Sequence, residues 1–505
     1  MSRIRTRFAP SPTGPLHLGG VRTALYSYLF AKKNKGDFLL RIEDTDRSRF
    51  VEGAEEYIIE SLNWCGIKYD AEITRQSEHK EVYRKYAEQL IQSGHAYYAF
   101  DSTGEIDAAR KKSEQNQATF SYDSSVRMSM KNSLTLSQDE TQKMISENVP
   151  HVIRLKVSPG EEIKFSDLIR GEVFFQSNLV DDKVLLKSDG MPTYHLAHIV
   201  DDYLMEITHA VRGEEWLPSA PAHILIYKYL GWESKMPQYA HLPLILKPDG
   251  KGKLSKRDGD KGGFPVFPLQ WKDPQSGDDS SGYREQGYYP EAFINMLALL
   301  GWNPRTEQEI FSMDELIEKF SFQHVHKGGA HFNPEKAKWF NQQWLQKKTE
   351  SELTDALKNY LKQASINPAQ FSDELLMGAV HLLKPRVQFE HEMADKGKYL
   401  FKLPGSYDEK IISKKWKPGF ENFFSQLAGE FSKVEKLTES EAENIFQKIT
   451  SAHHLKPGDV LQLLRVLITG EGTGVDLFPM IALLGGADSG MRINNALSAL
   501  KNFMH

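Results

Sequence analysis

The period of the apolar positions changes several times in the first third of the chain. Ile4-Arg5-Thr6-Arg7-Phe8-Ala9 alternates apolar and basic residues and predicts a strand. Val21, Ala24, Leu25, Tyr28 and Leu29 then recur at helical spacing. Gly36 stops that helix, and Phe38-Leu39-Leu40-Arg41-Ile42 is a second, more apolar strand. A strand, a helix and a strand in this succession argue for a parallel sheet. Two further helices are predicted by Ala54, Tyr57, Ile58, Ser61, Leu62 and Cys65, and by Tyr83, Tyr86, Ala87, Leu90 and Ile91.

The pattern breaks from about His95 to Lys187. Residues 101–148 are polar, and short strand-like runs follow at 152–155, 173–175 and 184–186. This predicts an α+β insertion between two halves of one α/β domain. The α/β pattern resumes at the turn pair Asp189-Gly190, with a helix through Tyr194, Leu196, Ala197 and Val200. A strand over 205–211 and a helix over 218–230 follow. A polar, glycine-rich loop spans 247–263, and 259–283 reads as an inserted surface loop. Phe293, Met296, Leu297 and Leu300 mark an amphipathic helix, and strand signals are sparse after residue 330. Asp459 is placed as the N-cap of a helix carrying Val460, Leu463, Leu464 and Leu467. The expected organisation is an α/β domain in two halves (1–94 and 188–263), separated by the insertion at 95–187. A linking helical segment at 264–329 and an all-α domain at 330–505 complete it.

With 505 residues, 40% of them hydrophobic and 26% charged, the chain is long enough for several separate cores. No run is apolar for long enough to span a bilayer, and no signal-peptide pattern precedes the first strand. Cys65 is the single cysteine, which excludes an internal disulfide framework and a multi-cysteine zinc site. A reducing cytoplasm is the expected compartment. At a net charge of −5, any nucleic-acid surface must be a local basic patch.

Candidate chemistry concentrates between the first strand and the first helix. Pro10-Ser11-Pro12-Thr13-Gly14-Pro15-Leu16-His17-Leu18-Gly19-Gly20 is stiffened by its prolines and relieved by its glycines. It leads into a helix N-terminus, whose first N–H groups lack internal partners and suit an anion. His17 is placed to donate to a phosphate oxygen. Downstream, Lys253-Leu254-Ser255-Lys256-Arg257 follows a glycine-rich stretch and supplies cations that can close over phosphates. Glu43, Asp44 and Asp46 sit just past the second strand, at the end where open α/β sheets bind ligands.

These two motifs together resemble the signature pair of class I aminoacyl-tRNA synthetases. The wording Arg7-Phe8-Ala9-Pro10-Ser11-Pro12-Thr13-Gly14, with Arg41-Ile42-Glu43-Asp44-Thr45-Asp46, resembles the bacterial glutamyl type. The resemblance continues through 189–216 and into the C-terminal third. It implies a Rossmann-type parallel-sheet catalytic domain, an insertion that holds the tRNA acceptor end, and a helical domain that reads the anticodon. The implied reaction activates L-glutamate with ATP and transfers it to the 3′ end of tRNA(Glu), releasing AMP and diphosphate.

The resemblance assigns His17, Lys253, Lys256 and Arg257 to catalysis. It assigns Pro10, His17, Gly19, Gly20, Glu215, Trp216 and Lys256 to ATP. Arg7, Ala9, Ser11, Glu43, Tyr194, His198 and Arg212 are assigned to glutamate, the two arginines supplying charge for carboxylates in a fixed fork. His198 stands where an asparagine is expected, and its charge state would add pH dependence. Arg386 is the candidate reader of the third anticodon base, and the lysines and aromatics within 396–417 suit phosphate contact plus base stacking. Magnesium is expected with ATP, held by phosphates and water, while Asp44 and Asp46 are read as caps or contacts to the tRNA end. No protein-bound zinc is expected, because Tyr97-Tyr98-Ala99-Phe100 stands where some members carry a cysteine knot. A monomer is implied. The glutaminyl type is the rival; its Pro-Glu-Pro-Asn-Gly motif and β-barrel C-terminal part do not match. A non-catalytic RNA-binding scaffold would have no need of Arg7, His17 and Lys256.

Overall fold

Ten strands lead the first two-thirds of the chain: β1 (Arg5–Phe8), β2 (Asp37–Ile42), β3 (Thr74–Arg75), β4 (Ala96–Ala99) and β5 (Val152–Leu155), then β6 (Glu162–Asp167), β7 (Gly171–Gln176), β8 (Val184–Leu186), β9 (His209–Gly213) and β10 (Gln238–Leu242). Seven of them form one sheet in the order β3-β2-β1-β9-β10-β6-β7, parallel throughout except for the edge strand β7. The first crossover helix, α1 (Leu18–Lys33), buries Leu18, Val21, Leu25 and Leu29 completely. From β1 the chain winds towards β2 and β3; from β9 it winds the other way, to β10. The β1/β9 boundary is therefore the topological switch point, where the loops leaving the carboxyl ends diverge and open a crevice.

The computed structural model describes residues 3–117 and 119–500. They divide into one compact unit reaching Gln286 and resuming at Pro290–Ala337, and a second made of Gly287–Tyr289 and the chain from Lys338. The class expected from the sequence, a parallel α/β sheet with an α+β insertion and a helical C-terminal part, is the class found. Among the described residues no helix is long and apolar enough to cross a membrane.

Several local expectations are corrected. The run 173–175 lies in β7, which pairs with β6 on the edge of the main sheet, whereas β4, β5 and β8 form a separate antiparallel sheet. Alternation along a strand does not encode its partner. The strand expected over 205–211 starts only at His209, because Met205 caps the preceding helix and Glu206 turns the chain at φ 53°. Helix 218–230 begins as a 3₁₀ turn, Glu214–Ser219, before Ala220–Tyr229. The loop at 247–263 contains a short helix, Lys256–Gly262, started by a reciprocal Ser255–Asp258 capping box.

The inserted stretch within 259–283 is not a surface loop. Val266, Phe267, Leu269 and Trp271 are buried, and the Tyr57 hydroxyl donates to the Leu269 carbonyl at 2.6 Å. The tip of its hairpin, between Trp271–Lys272 and Asp279–Ser280, is exposed, as are residues 260–263.

Beyond Ala330–His331 every regular element among the described residues is helical. The second unit packs its helices around Leu353, Leu357, Phe423, Phe424, Leu463 and Leu464. Its helix Pro457–Thr469 starts three positions earlier than expected: Lys456 is the N-cap, and Asp459 lies in the first turn. There the carboxylate faces the helix dipole instead of capping it. The aromatics within 396–417 are core residues: Tyr399 and Phe401 are buried, and Trp416 lies parallel to Phe424 at 5.7 Å. They are not exposed for base stacking, although Lys396, Lys398, Lys402, Lys414 and Lys417 are exposed around them.

Candidate active site

The carboxyl ends of β1 and β9 open into a cavity of about 450 Å³. Arg7, Ala9, Pro10, Ser11, His17, Gly19, Gly20, Glu43, Tyr194, His198, Arg212, Glu215, Trp216 and Lys253 all line it. Residues that lie far apart along the chain meet here because β1, β2 and β9 are sheet neighbours. Lys256 lines an adjoining cavity of about 430 Å³, which shares Pro10, Ser11, His17 and Gly20 with the first. Arg257 lines neither. The signature loop is thus a partition, and the inserted stretch supplies Phe267, Trp271 and Asp273 to the far cavity.

His17 is the N-cap of α1, and its Nδ1 accepts the Gly19 N–H at 3.4 Å. That bond assigns the proton to Nε2, which is buried and has no partner among the described residues. Burial, with Lys253 nearby, pushes its pKa down to about 4. At neutral pH His17 is an uncharged donor with a vacant bond. A Cβ on Gly19 would meet nothing within 4 Å, so the glycine leaves the helix start open to a ligand. The backbone amide of Leu18 is satisfied by the Val266 carbonyl at 3.0 Å, so the inserted stretch fixes the start of α1.

Three buried arginines, Arg7, Arg41 and Arg212, lie at or beside this cavity. The Arg7 Nε and Nη2 atoms donate to Asp202 at 3.1 and 3.0 Å. Arg41 Nη1 donates to Asp202 at 2.7 Å and Nη2 to Glu43 at 3.0 Å. Burial raises the Glu43 carboxyl above its ordinary range against the opposing pull of Arg41. Arg212 donates to no carboxylate among its hydrogen-bond partners, and its Nη2 is buried without a partner. Arg7 therefore has its charge balanced inside the protein, while Arg212 does not. Arg41 and Asp202 escaped the sequence reading. Their signal was an arginine inside an apolar strand and an acid one helical turn after His198.

His198 lies between the two balanced arginines, its Nε2 3.3 Å from Arg7 Nη2 and its Nδ1 3.3 Å from Arg41 Nη2. Burial, then Arg7, Arg41 and Arg212, drive its pKa well below 6.5. It stays neutral near pH 7, which corrects the expected pH dependence. The activity profiles of the native protein and His198→Asn are expected to superimpose between about pH 6 and 8. A native inflection that vanishes in the variant would contradict this.

The same depressed histidines predict how stability varies with pH. Burial lowers His17, His195 and His209 to about 4 each, whereas the unfolded chain protonates them near 6.5. Below about pH 6.5 the unfolded state binds more protons, so stability falls with pH down towards about 4. Calorimetry is expected to show Tm several degrees lower at pH 5 than at pH 7.5. An equal or higher Tm at pH 5 counts against these neutral histidines.

Elsewhere along the cavity, Lys253 pairs with Glu215 at 2.6 Å, and the Trp216 ring lies 4.5 Å from that of Tyr194. Asp46 caps the turn Arg47–Arg49, and Asp44 accepts from the Ser77 amide at 2.8 Å, so both acids have structural partners. Among the described residues no group of three or more His, Cys, Asp or Glu side chains is placed to hold a metal. In the second unit Arg386 pairs with Asp476 at 2.8 Å beside a cavity of about 890 Å³.

This combination of switch-point crevice, helix-capping histidine and lysine-rich second motif agrees with the comparisons. Residues 3–339 match the family described as tRNA synthetases class I (E and Q), catalytic domain, and residues 352–497 match an anticodon binding domain. The chain belongs to the class I tRNA synthetases of the glutamate and glutamine branch. It is 50% identical over 509 residues to the glutamate–tRNA ligase of Christiangramia forsetii, covering 99% of this chain and 100% of that protein. The Parabacteroides distasonis glutamate–tRNA ligase is 49% identical, covering 99% of each. A crystal structure of a glutamate tRNA ligase from Elizabethkingia meningosepticum in complex with its amino acid is 46% identical, with a TM-score of 0.94. That match covers 99% of this chain and 100% of the other.

Proposed function

We propose that this protein is a glutamate–tRNA ligase that works as a cytoplasmic monomer. The observation that carries the reading is the pairing, in one cavity, of an uncompensated buried arginine with a neutral histidine donor that lacks a partner. Arg212 takes the side-chain carboxylate of glutamate. Glu43 meets the ammonium group, while Arg7, Ala9, Ser11, Tyr194 and His198 shape the pocket around them. ATP lies along Pro10, Gly19 and Gly20 with the adenosine towards Glu215 and Trp216, and His17 donates to a phosphate oxygen.

The α-carboxylate of glutamate attacks the α-phosphorus, the bond to the bridging oxygen breaks, and pyrophosphate leaves. Lys253, Lys256 and Arg257 supply the cationic side of the phosphate path, and Lys256 receives the leaving group in the cavity it shares with His17. Magnesium arrives with the phosphates. The terminal ribose of tRNA(Glu) then attacks the adenylate carbonyl and AMP departs, so no protein nucleophile is needed. Arg386 and the exposed lysines within 396–417 contact the anticodon arm.

Charging of purified tRNA(Glu) with labelled glutamate and ATP tests the reading, with tRNA(Gln) alongside. Charging of the first alone marks a discriminating enzyme; charging of both weakens the role of Arg386; charging of neither overturns the proposal. Lys256→Ala is expected to slow adenylate formation by about 10²-fold while tRNA affinity stays near native. A matching loss of tRNA affinity would count against its placement on the pyrophosphate.

A further inference from the structure

Arg212 differs from the other two buried arginines in what holds it. Its Nε donates to His241 Nε2 at 2.9 Å, its Nη1 lies 3.1 Å from His223 Nδ1, and the Tyr194 hydroxyl stands 3.4 Å away. Its guanidinium also covers the Tyr239 ring at 4.8 Å. All of these partners are uncharged. An imidazole can accept from Nε only if its own proton is on the other nitrogen. His241 Nδ1 is 2.6 Å from Asp167 Oδ2, which holds that proton in place. The carboxylate is itself fixed by the amides of Ile169 at 2.9 Å, Arg170 at 2.8 Å and His241 at 3.1 Å. Asp167 and His241 are 2% and 0% exposed, so water does not substitute for either bond.

The chain of contacts runs straight across the sheet. Asp167 ends β6, His241 lies in β10 and Arg212 in β9, with His241 in register with Arg212. We propose that Asp167 and His241 are positioning residues that orient Arg212 and leave its charge uncompensated for the substrate carboxylate. This rests on the assignment of Arg212 to the glutamate side chain. A carboxylate in direct contact would orient the guanidinium equally well but neutralise it, as Asp202 does for Arg7. With an imidazole interposed, the orientation is kept and the negative charge stands one ring farther away. Burial keeps His241 neutral against the pull of Asp167.

Asp167→Asn is the test. Its amide keeps an oxygen for the Ile169 and Arg170 amides but turns an NH₂ towards His241, favouring the proton on Nε2. Two donors, Nε2–H and the Arg212 Nε–H, then face each other. In aminoacylation assays KM for glutamate is expected to rise at least about tenfold, with KM for ATP within about twofold of native. As a second variant pair, His241→Gln keeps an acceptor for Arg212 and is expected to hold KM for glutamate within about threefold, whereas His241→Leu is not. A native KM in Asp167→Asn, or equal values in His241→Gln and His241→Leu, overturns the relay. Arg212→Ala, run alongside, separates the two readings. If it raises KM for glutamate while the relay variants do not, only the relay fails; if it leaves KM native, the glutamate assignment and the relay fail together.

Discussion

Replacing Arg212 with alanine is expected to lower kcat/KM for glutamate by about 10²–10³-fold, or roughly 3–4 kcal/mol of transition-state stabilisation. The size follows from the environment. A charged, two-pronged hydrogen bond to a carboxylate is about twice as strong as a neutral one, and here it forms in a buried cavity. The guanidinium has a vacant Nη2 and no acid beside it, so nothing in the free protein competes with the substrate. Most of the loss should appear in KM for glutamate. Arg212→Lys is expected to recover little, because an ammonium cannot reproduce the fork. Kinetics with glutamate and ATP varied separately check this. An equal loss for both substrates would point to a collapsed site instead.

His17→Ala is expected to reduce kcat for adenylate formation by about 10²–10³-fold with little change in KM for glutamate. The imidazole does two jobs with its two nitrogens. Nδ1 caps α1 through the Gly19 amide, and Nε2–H faces the cavity without a partner. Loss of the cap should cost about 1 kcal/mol of stability, which lowers Tm slightly and can be read separately from the rate. Because burial holds the pKa of His17 at about 4, the native rate should not follow an imidazole titration near neutral pH. Pyrophosphate exchange provides the measurement. A normal rate in the variant would remove His17 from the phosphate site.

Much of the site was legible along the chain because each half is local. The signature loop joins a strand to a helix within consecutive residues, so its prolines, glycines and histidine are bound to meet at the helix start. Glu43 was legible for a similar reason, lying just beyond the carboxyl end of a strand, whereas Arg212 was named through the family resemblance. The inserted stretch was misread because proline, glycine and aspartate dominate its composition. Its apolar residues are few, but Val266, Phe267, Leu269, Trp271 and Tyr283 are all buried. The aromatics near Lys398 and Lys414 were misread for the opposite reason. Alternation with lysine suggests a surface, yet a helix turns Tyr399 and Phe401 inwards while the lysines stay outside.

By itself the sequence determined the parallel α/β class, the helical C-terminal third and the two signature motifs. These depend on periodicity, turn chemistry and short-range spacing, which are properties of neighbouring residues. Which arginine is available for a ligand was decided only by the tertiary structure. Arg7 and Arg212 look alike in the sequence, each an arginine in a short strand. Folding places Asp202 against the first and the neutral His241 against the second. The charge on a buried group is set by the neighbours that remain once water is gone, and those neighbours come from strands and helices far away in the chain.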